Sequence, residues 1–116
     1  MEPIKLETAQ AALQAFIDRP VYLHLETTNG AYAATSEHKT MAICAYIRNG
    51  LVRVNRATIA GKGPFRAGLQ IDLGWIYAEG LTDFEVDAQG RLLMAGHDAD
   101  GRLAIALELS SEPFPT

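Results

Sequence analysis

His24 and Glu26 stand two residues apart in the stretch VYLHLETTNGAY, the part of the sequence that comes nearest to a metal or acid–base site. On a strand such residues share a face, so the pair would stand beside Tyr22, and a third ligand such as His97 or Asp98 could complete a His-and-carboxylate set. The polar side of any exposed strand has the same spacing, so surface exposure or cross-strand pairing is the preferred reading of it. No ligand spacing is defined well enough to assign a metal, and the sequence predicts no metal and no cofactor. Cys44, within MAICAYI, reads as a small apolar side chain with an inert thiol rather than a nucleophile. GKGPFRAG, with Lys62 and Arg66, is rich in glycine, but a strand pattern follows it where a phosphate loop would feed a helix. A hairpin connection is the plain reading, and an anion held by backbone amides and Arg66 is the sharper one. HDADG lacks the third acid and the distal glutamate of a calcium loop and reads as a turn.

Charge carries more information than these motifs. The formal net charge is −4, but the two signs are separated along the chain. Between His38 and Ile71 there is no acid, while Lys39, Arg48, Arg53, Arg56, Lys62 and Arg66 are all basic. From Asp72 to Asp100, Asp72, Glu79, Asp83, Glu85, Asp87, Asp98 and Asp100 face only Arg91. Antiparallel neighbours could pair these charges, or the basic run could form an anion- or partner-binding face. Guanidinium groups suit bidentate carboxylate binding. In GWIYAEGL, Trp75, Tyr77 and Glu79 fall on one strand face, either as core or as a contact patch. The sequence thus nominates Arg48, Arg53 and Arg66, with Trp75 and Tyr77, as a surface for a carboxylate-bearing metabolite or an acidic partner. His24, Glu26 and His97 are the alternative site. Nucleic acid is not expected of an acidic chain without an aromatic RNA-binding signature.

These residues must be held mainly by strands. Ala9, Ala12, Leu13, Phe16 and Ile17 recur at helical spacing, which predicts one helix from about Ala9 to Asp18, capped by Thr8 and ended by Arg19-Pro20. Val21, Leu23 and Leu25 then alternate with polar residues as a half-buried strand, and Asn29-Gly30 predicts a tight turn back through Tyr32. Asn49-Gly50 predicts a second hairpin, joining MAICAYIR to LVRVNRATIA. In the latter strand Val52 and Val54 disagree in parity with Ala57 and Ile59, so a bulge near Asn55 and Arg56 is expected. FRAGLQIDL, GWIYAEGL, DFEV, RLLMAGH and RLAIALEL continue the series, with DAQG and DADG as turns. MAICAYI and LLMA are apolar on both faces and read as central strands. The expectation is a mainly β fold: an antiparallel barrel or sandwich of seven to nine short strands with one N-terminal helix packed against it.

At 116 residues, with 48% hydrophobic and 21% charged residues, the chain has the size and composition of one globular domain, 1–116. Neither a leader nor an apolar run of the roughly 20 residues a span needs is visible, so no membrane is expected and the location is read as cytoplasmic. A single cysteine agrees with a reducing compartment.

RPVYLHLETTNGAY, AYIRNG, GKGPFRAGL, GWIYAEGLT and LLMAGHDADGRLAIALELSSEPF resemble, in this order and almost end to end, the YojF-like family of small bacterial proteins, a domain of unknown function. The resemblance implies a mainly β fold and supplies no catalytic residues to carry over. Members of that family tend to be encoded beside a deacetylase acting on N-acetylglucosaminyl malate in bacillithiol synthesis. What this implies is a noncatalytic accessory or binding module working with a sugar deacetylase or its metabolite. A small enzyme using His24, Glu26 and His97 is the alternative. The separated charges further predict a homodimer or hetero-complex weakened by salt.

Overall fold

The computed structural model describes residues 1–27 and 45–116. The expected turn at Asn29-Gly30, Tyr32 and the run at 41–44 with Cys44 lie outside the described residues. In chain order the elements are β1 (Glu2–Pro3), α1 (Leu6–Gln14), β2 (Pro20–Thr27), β3 (Tyr46–Arg53), β4 (Arg56–Gly61), β5 (Phe65–Ile71), β6 (Gly74–Leu81), β7 (Asp83–Val86), β8 (Leu92–His97) and β9 (Leu103–Ser110). The nine strands of the described residues make two sheets, β1-β7-β8-β9-β2-β3 and β4-β5-β6. All neighbours are antiparallel. The architecture is a sandwich rather than a closed barrel.

Period-two alternation builds the core. Val21 and Leu23 of β2, Leu92 and Met94 of β8, and Leu107 and Leu109 of β9 come from the larger sheet. They meet Ala57 and Ile59 of β4, Ala67 and Leu69 of β5, and Ala78 of β6 from the smaller one. Each large aliphatic side chain withdrawn from water contributes about 1.5–3 kcal/mol. β8, which carries LLMA, runs between β7 and β9 as its apolar composition requires. β3 does not behave as its sequence suggested. It is the end strand of the larger sheet among the described residues, and its Tyr46 and Ile47 are exposed.

The helix begins at Leu6 and ends at Gln14, earlier at both ends than its apolar pattern predicts. Lys5 occupies the N-cap without a side-chain hydrogen bond, so Thr8 lies inside the helix and caps nothing. After Gln14 the chain tightens, with Phe16 N–H donating to the Leu13 carbonyl, and Asp18 adopts φ 60° before Pro20 opens β2. Phe16 therefore reaches the core from a turn, at a spacing that mimics one more helical turn.

Gln10, midway along α1, does for β4 what another strand would do. Its Nε2 donates to the Ala57 carbonyl at 2.8 Å, and its Oε1 accepts the Ile59 N–H at 3.0 Å. An edge strand otherwise leaves such groups open. Gln10→Met removes both partners from half-buried backbone groups and is expected to cost about 1–3 kcal/mol. Urea unfolding decides the matter, since an unchanged midpoint would mean that the helix shields this edge by packing alone.

Two expected features take a different form in the structure. LVRVNRATIA is not one bulged strand: β3 ends at Arg53 in the larger sheet and β4 starts at Arg56 in the smaller one. The parity break marks the crossing between sheets, fixed by Asp18 N–H donating to the Val54 carbonyl and Asn55 N–H to the Gln70 carbonyl. Nor does Asn49-Gly50 make a hairpin turn. Both residues lie inside β3, where Leu23 pairs with Gly50 but Leu25 pairs with Ile47, leaving an extra residue on β3. Asn49 has the positive φ that its type predicted, 58°, and uses it to form a bulge.

A second crossing joins β6 to β7. Gly80 turns the chain with φ +86°, and Thr82 then donates its N–H to the Ala95 carbonyl of β8 at 2.8 Å. Here the backbones of the two sheets approach closely, because a Cβ built on Gly96 of β8 would overlap the Gly80 carbonyl oxygen. DAQG and DADG are turns, as expected, and they share one construction. Asp87 Oδ1 accepts the N–H groups of Gln89 and Arg91, and Asp98 Oδ1 those of Asp100 and Arg102. Gly90 and Gly101 take positive φ in the same place.

Candidate functional site

The outer face of the smaller sheet follows directly from its register. Arg56, Gln70 and Trp75 form one row across the three strands. Thr58, Gly68 and Tyr77 form the second, and Ala60, Arg66 and Glu79 the third. Residues of opposite parity, Ala57, Ile59, Ala67, Leu69 and Ala78, are buried in the core. The nine outer positions therefore face away from it. Trp75 and Tyr77 are 41% and 47% exposed, which is high for side chains of that size.

These side chains are ordered against one another. The indole and phenol rings are parallel to within 4°, with centroids 5.6 Å apart. The Arg66 guanidinium carbon lies 3.9 Å from the Tyr77 ring centre, and its Nε meets Glu79 Oε1 at 2.9 Å. Gly68 makes the arrangement possible, since a Cβ there would come within 3.0 Å of the Tyr77 ring, which lies across it. The result is an exposed run of Glu79, Arg66, Tyr77 and Trp75 whose conformational freedom is already reduced. Trp, Tyr and Arg are the residue types that dominate binding energy at protein interfaces.

His24 occupies a different setting on the outer face of the larger sheet. It is only 6% exposed, between the edges of the Tyr46 ring at 5.4 Å and the Phe114 ring at 6.3 Å. Its Nδ1 lies 3.3 Å from Arg48 Nη1 and its Nε2 lies 3.6 Å from Glu26 Oε2. A guanidinium only donates, so Nδ1 accepts and the ring hydrogen sits on Nε2 toward Glu26. In that tautomer neither nitrogen presents a lone pair to solvent. Arg48 is equally committed, since its Nε and Nη2 donate to the Pro115 carbonyl and its Nη1 lies 3.8 Å from Glu108.

The bulge at Asn49 places that residue beside the C-terminal segment. Asn49 Nδ2 donates to the Phe114 carbonyl at 2.9 Å, and the Phe114 N–H donates to Asn49 Oδ1 at 2.7 Å. Phe114 is buried, with the guanidinium carbons of Arg48 and Arg91 4.8 and 5.9 Å from its ring centre. Arg91 is tied in turn to Asp87 at 2.6 Å. Burial raises the Asp87 carboxyl, but hydrogen bonds and charge from Arg91 and the Gln89 N–H outweigh it and hold the group below the usual carboxylate range. The sequence pattern marks Asn49 only as a turn residue and Asp83 only as one acid of a run, gives Phe114 no role, and offers just the pairing of Pro with Phe in SSEPFPT as a hint of an anchored tail.

His97 does not join His24. Along β9, His24 pairs with Glu108 and His97 with Leu103, a separation of about 16 Å at strand rise. Its Nδ1 instead lies 3.2 Å from Asp83 Oδ2, which also accepts from the Thr82 hydroxyl. Among the described residues, no group of three or more His, Cys, Asp or Glu side chains could hold a metal ion. The three nominated arginines are likewise separated. Arg66 stands with Trp75 and Tyr77, Arg48 lies against His24 on the far side of the sandwich, and Arg53 borders a cleft with Ile71 and Asp72. No helix of the described residues is long and apolar enough to cross a membrane.

Residues 3–114 match the family model described as protein of unknown function (DUF1806). The chain is 54% identical over 114 residues to the uncharacterized protein YojF of Bacillus subtilis (strain 168), with 98% of each covered. It is also similar to the crystal structure of the Bacillus subtilis YojF protein, with a TM-score of 0.81 and 48% identity. That match covers 99% of this chain and 97% of the other.

Proposed function

This chain belongs to the DUF1806 family of proteins of unknown function, and on that premise we propose that it is a noncatalytic binding module that docks a partner protein through the outer face of β4, β5 and β6. The observation that carries the reading is the exposed, mutually stacked run of Arg66, Tyr77 and Trp75. Ordering such side chains on association normally costs about 0.5–1.5 kcal/mol each, and here much of that ordering is already present. Arg56 adds a second cation to the face, which suits a partner patch containing carboxylates. The partner we favour is the sugar deacetylase of bacillithiol-type synthesis beside which members of the resembled family are encoded. A carboxylate-bearing metabolite of that enzyme is the smaller ligand such a face would accept, with Arg66 exchanging Glu79 for the ligand's carboxylate.

Surface immobilisation of the deacetylase and titration with this chain tests the reading. Trp75→Ala is expected to weaken binding by about 30-fold or more and Arg66→Ala by about tenfold, as for central interface residues. Both side chains are exposed, so the melting temperature should hardly move. A deacetylase that ignores the chain, or binds both variants as tightly as the parent, would remove the proposal.

A further inference from the structure

The end of β3 and the tip of the β5–β6 hairpin border a cleft of about 270 Å³, lined by Leu51, Val52, Arg53, Ile71, Asp72 and Leu73. Three observations there belong together. Leu73 is 100% exposed at the hairpin tip, a position where turn chemistry favours glycine, asparagine, aspartate or serine. Leu51, on the other side of the cleft, is 60% exposed. Arg53 makes no hydrogen bond or ion pair among the described residues, and Asp72 accepts only the Asn55 amide at 3.0 Å. A single exposed leucine means little, but this one projects beside an apolar cleft flanked by an unpaired cation and a carboxylate without an ion pair.

Such a surface is complementary to itself. In a twofold contact residue i meets j and j meets i, so knob and hole must lie on the same patch with opposite charges beside them. We infer that two copies of the chain associate about a twofold axis at this cleft. Leu73 of each enters the cleft of the other, and Arg53 of each pairs with Asp72 of the second copy. The strand that borders the cleft, β3, ends the larger sheet among the described residues, and a second copy would shield its apolar Leu51. The surface is distinct from the face of Trp75 and Tyr77, and the inference stands or falls without the deacetylase.

Sedimentation equilibrium of the full chain tests it. The parent is expected to dimerise in the micromolar range at about 0.1 M salt and more weakly at about 1 M. Leu73→Asp, which touches no packed group, should weaken the dimer by about 100-fold because the contact is lost twice. Arg53→Asp and Asp72→Arg should each weaken it by about tenfold or more, and the double reversal should return it to within about threefold of the parent. Thermal melts show whether each variant is folded, and Leu73→Asp decides the question even if a charge variant is not. A parent chain that stays monomeric to about 500 μM, a range that admits even weak self-association, would overturn the inference. So would a dimer indifferent to Leu73→Asp, or a double reversal no better than the single ones.

Discussion

Replacing Gly96 by alanine is expected to destabilise the protein by about 3 kcal/mol or more, a large effect for a single methyl group. The added Cβ would overlap the carbonyl oxygen of Gly80 and lie 2.8 Å from both the Gly80 carbonyl carbon and Ile105 Cγ2. A flexible side chain could swing away from such a contact. The Gly80 peptide cannot, because it is held on the C-terminal side by buried Leu81 and by the hydrogen bond from Thr82 N–H to the Ala95 carbonyl. Relief requires the two sheets to separate at this contact, which loosens the core on either side. Gly74→Ala is the control, since a Cβ there meets nothing within 4 Å and its backbone is not in the left-handed region. Far-UV circular dichroism in urea should show Gly74→Ala close to the parent and Gly96→Ala unfolded at much lower denaturant. Equal midpoints would mean that the contact between β6 and β8 is not tight.

The second large effect is expected at Asn49, where two separate contributions can be resolved. Asn49→Ala loses both hydrogen bonds to Phe114 and places an alanine at φ 58°, for a combined cost of about 3 kcal/mol. Asn49→Gly restores backbone freedom but not the amide, and should recover roughly 1 kcal/mol of that loss. Asn49→Asp keeps an acceptor for the Phe114 N–H while turning a second oxygen toward the Phe114 carbonyl, so it should release the tail while still tolerating the bulge. Hydrogen exchange at the Phe114 amide reads the clamp directly, and urea midpoints read the total. If all three variants protect that amide as the parent does, the tail is held by Phe114 packing and by Arg48, and the amide pair is incidental.

What was legible in the sequence was whatever depends on neighbours along the chain. The alternation of Val21, Leu23 and Leu25 placed β2, and the same parity put Trp75, Tyr77 and Glu79 on one face. The parity break between Val54 and Ala57 was visible too, but parity cannot distinguish a bulge from a strand that changes sheets. That choice is made by Asp18 and Gln70, which supply the partners for the crossing and are far away in sequence. Asn49 shows the same limit. Its type announced a positive φ, whereas the use of that angle as a bulge depends on the register with Leu23 and Leu25. Arg66 could not be assigned to Tyr77 and Glu79 without the β5–β6 register, nor His24 to Arg48 without the bulge. The helix ends sooner than its apolar pattern predicts because Phe16 and Ile17 fit helical spacing while sitting in a turn.

The placement of the chain's one tryptophan has a practical side. Trp75 lies on the open face of the smaller sheet beside Tyr77, so tryptophan emission from this protein, excited selectively near the red edge of its absorption, originates at a surface and not in its interior. Spectral colour and quenching by small solutes will therefore register what touches that face, while loss of core packing is read separately through the backbone. The molecule carries its own optical label at the very spot where contact with another molecule is most worth observing.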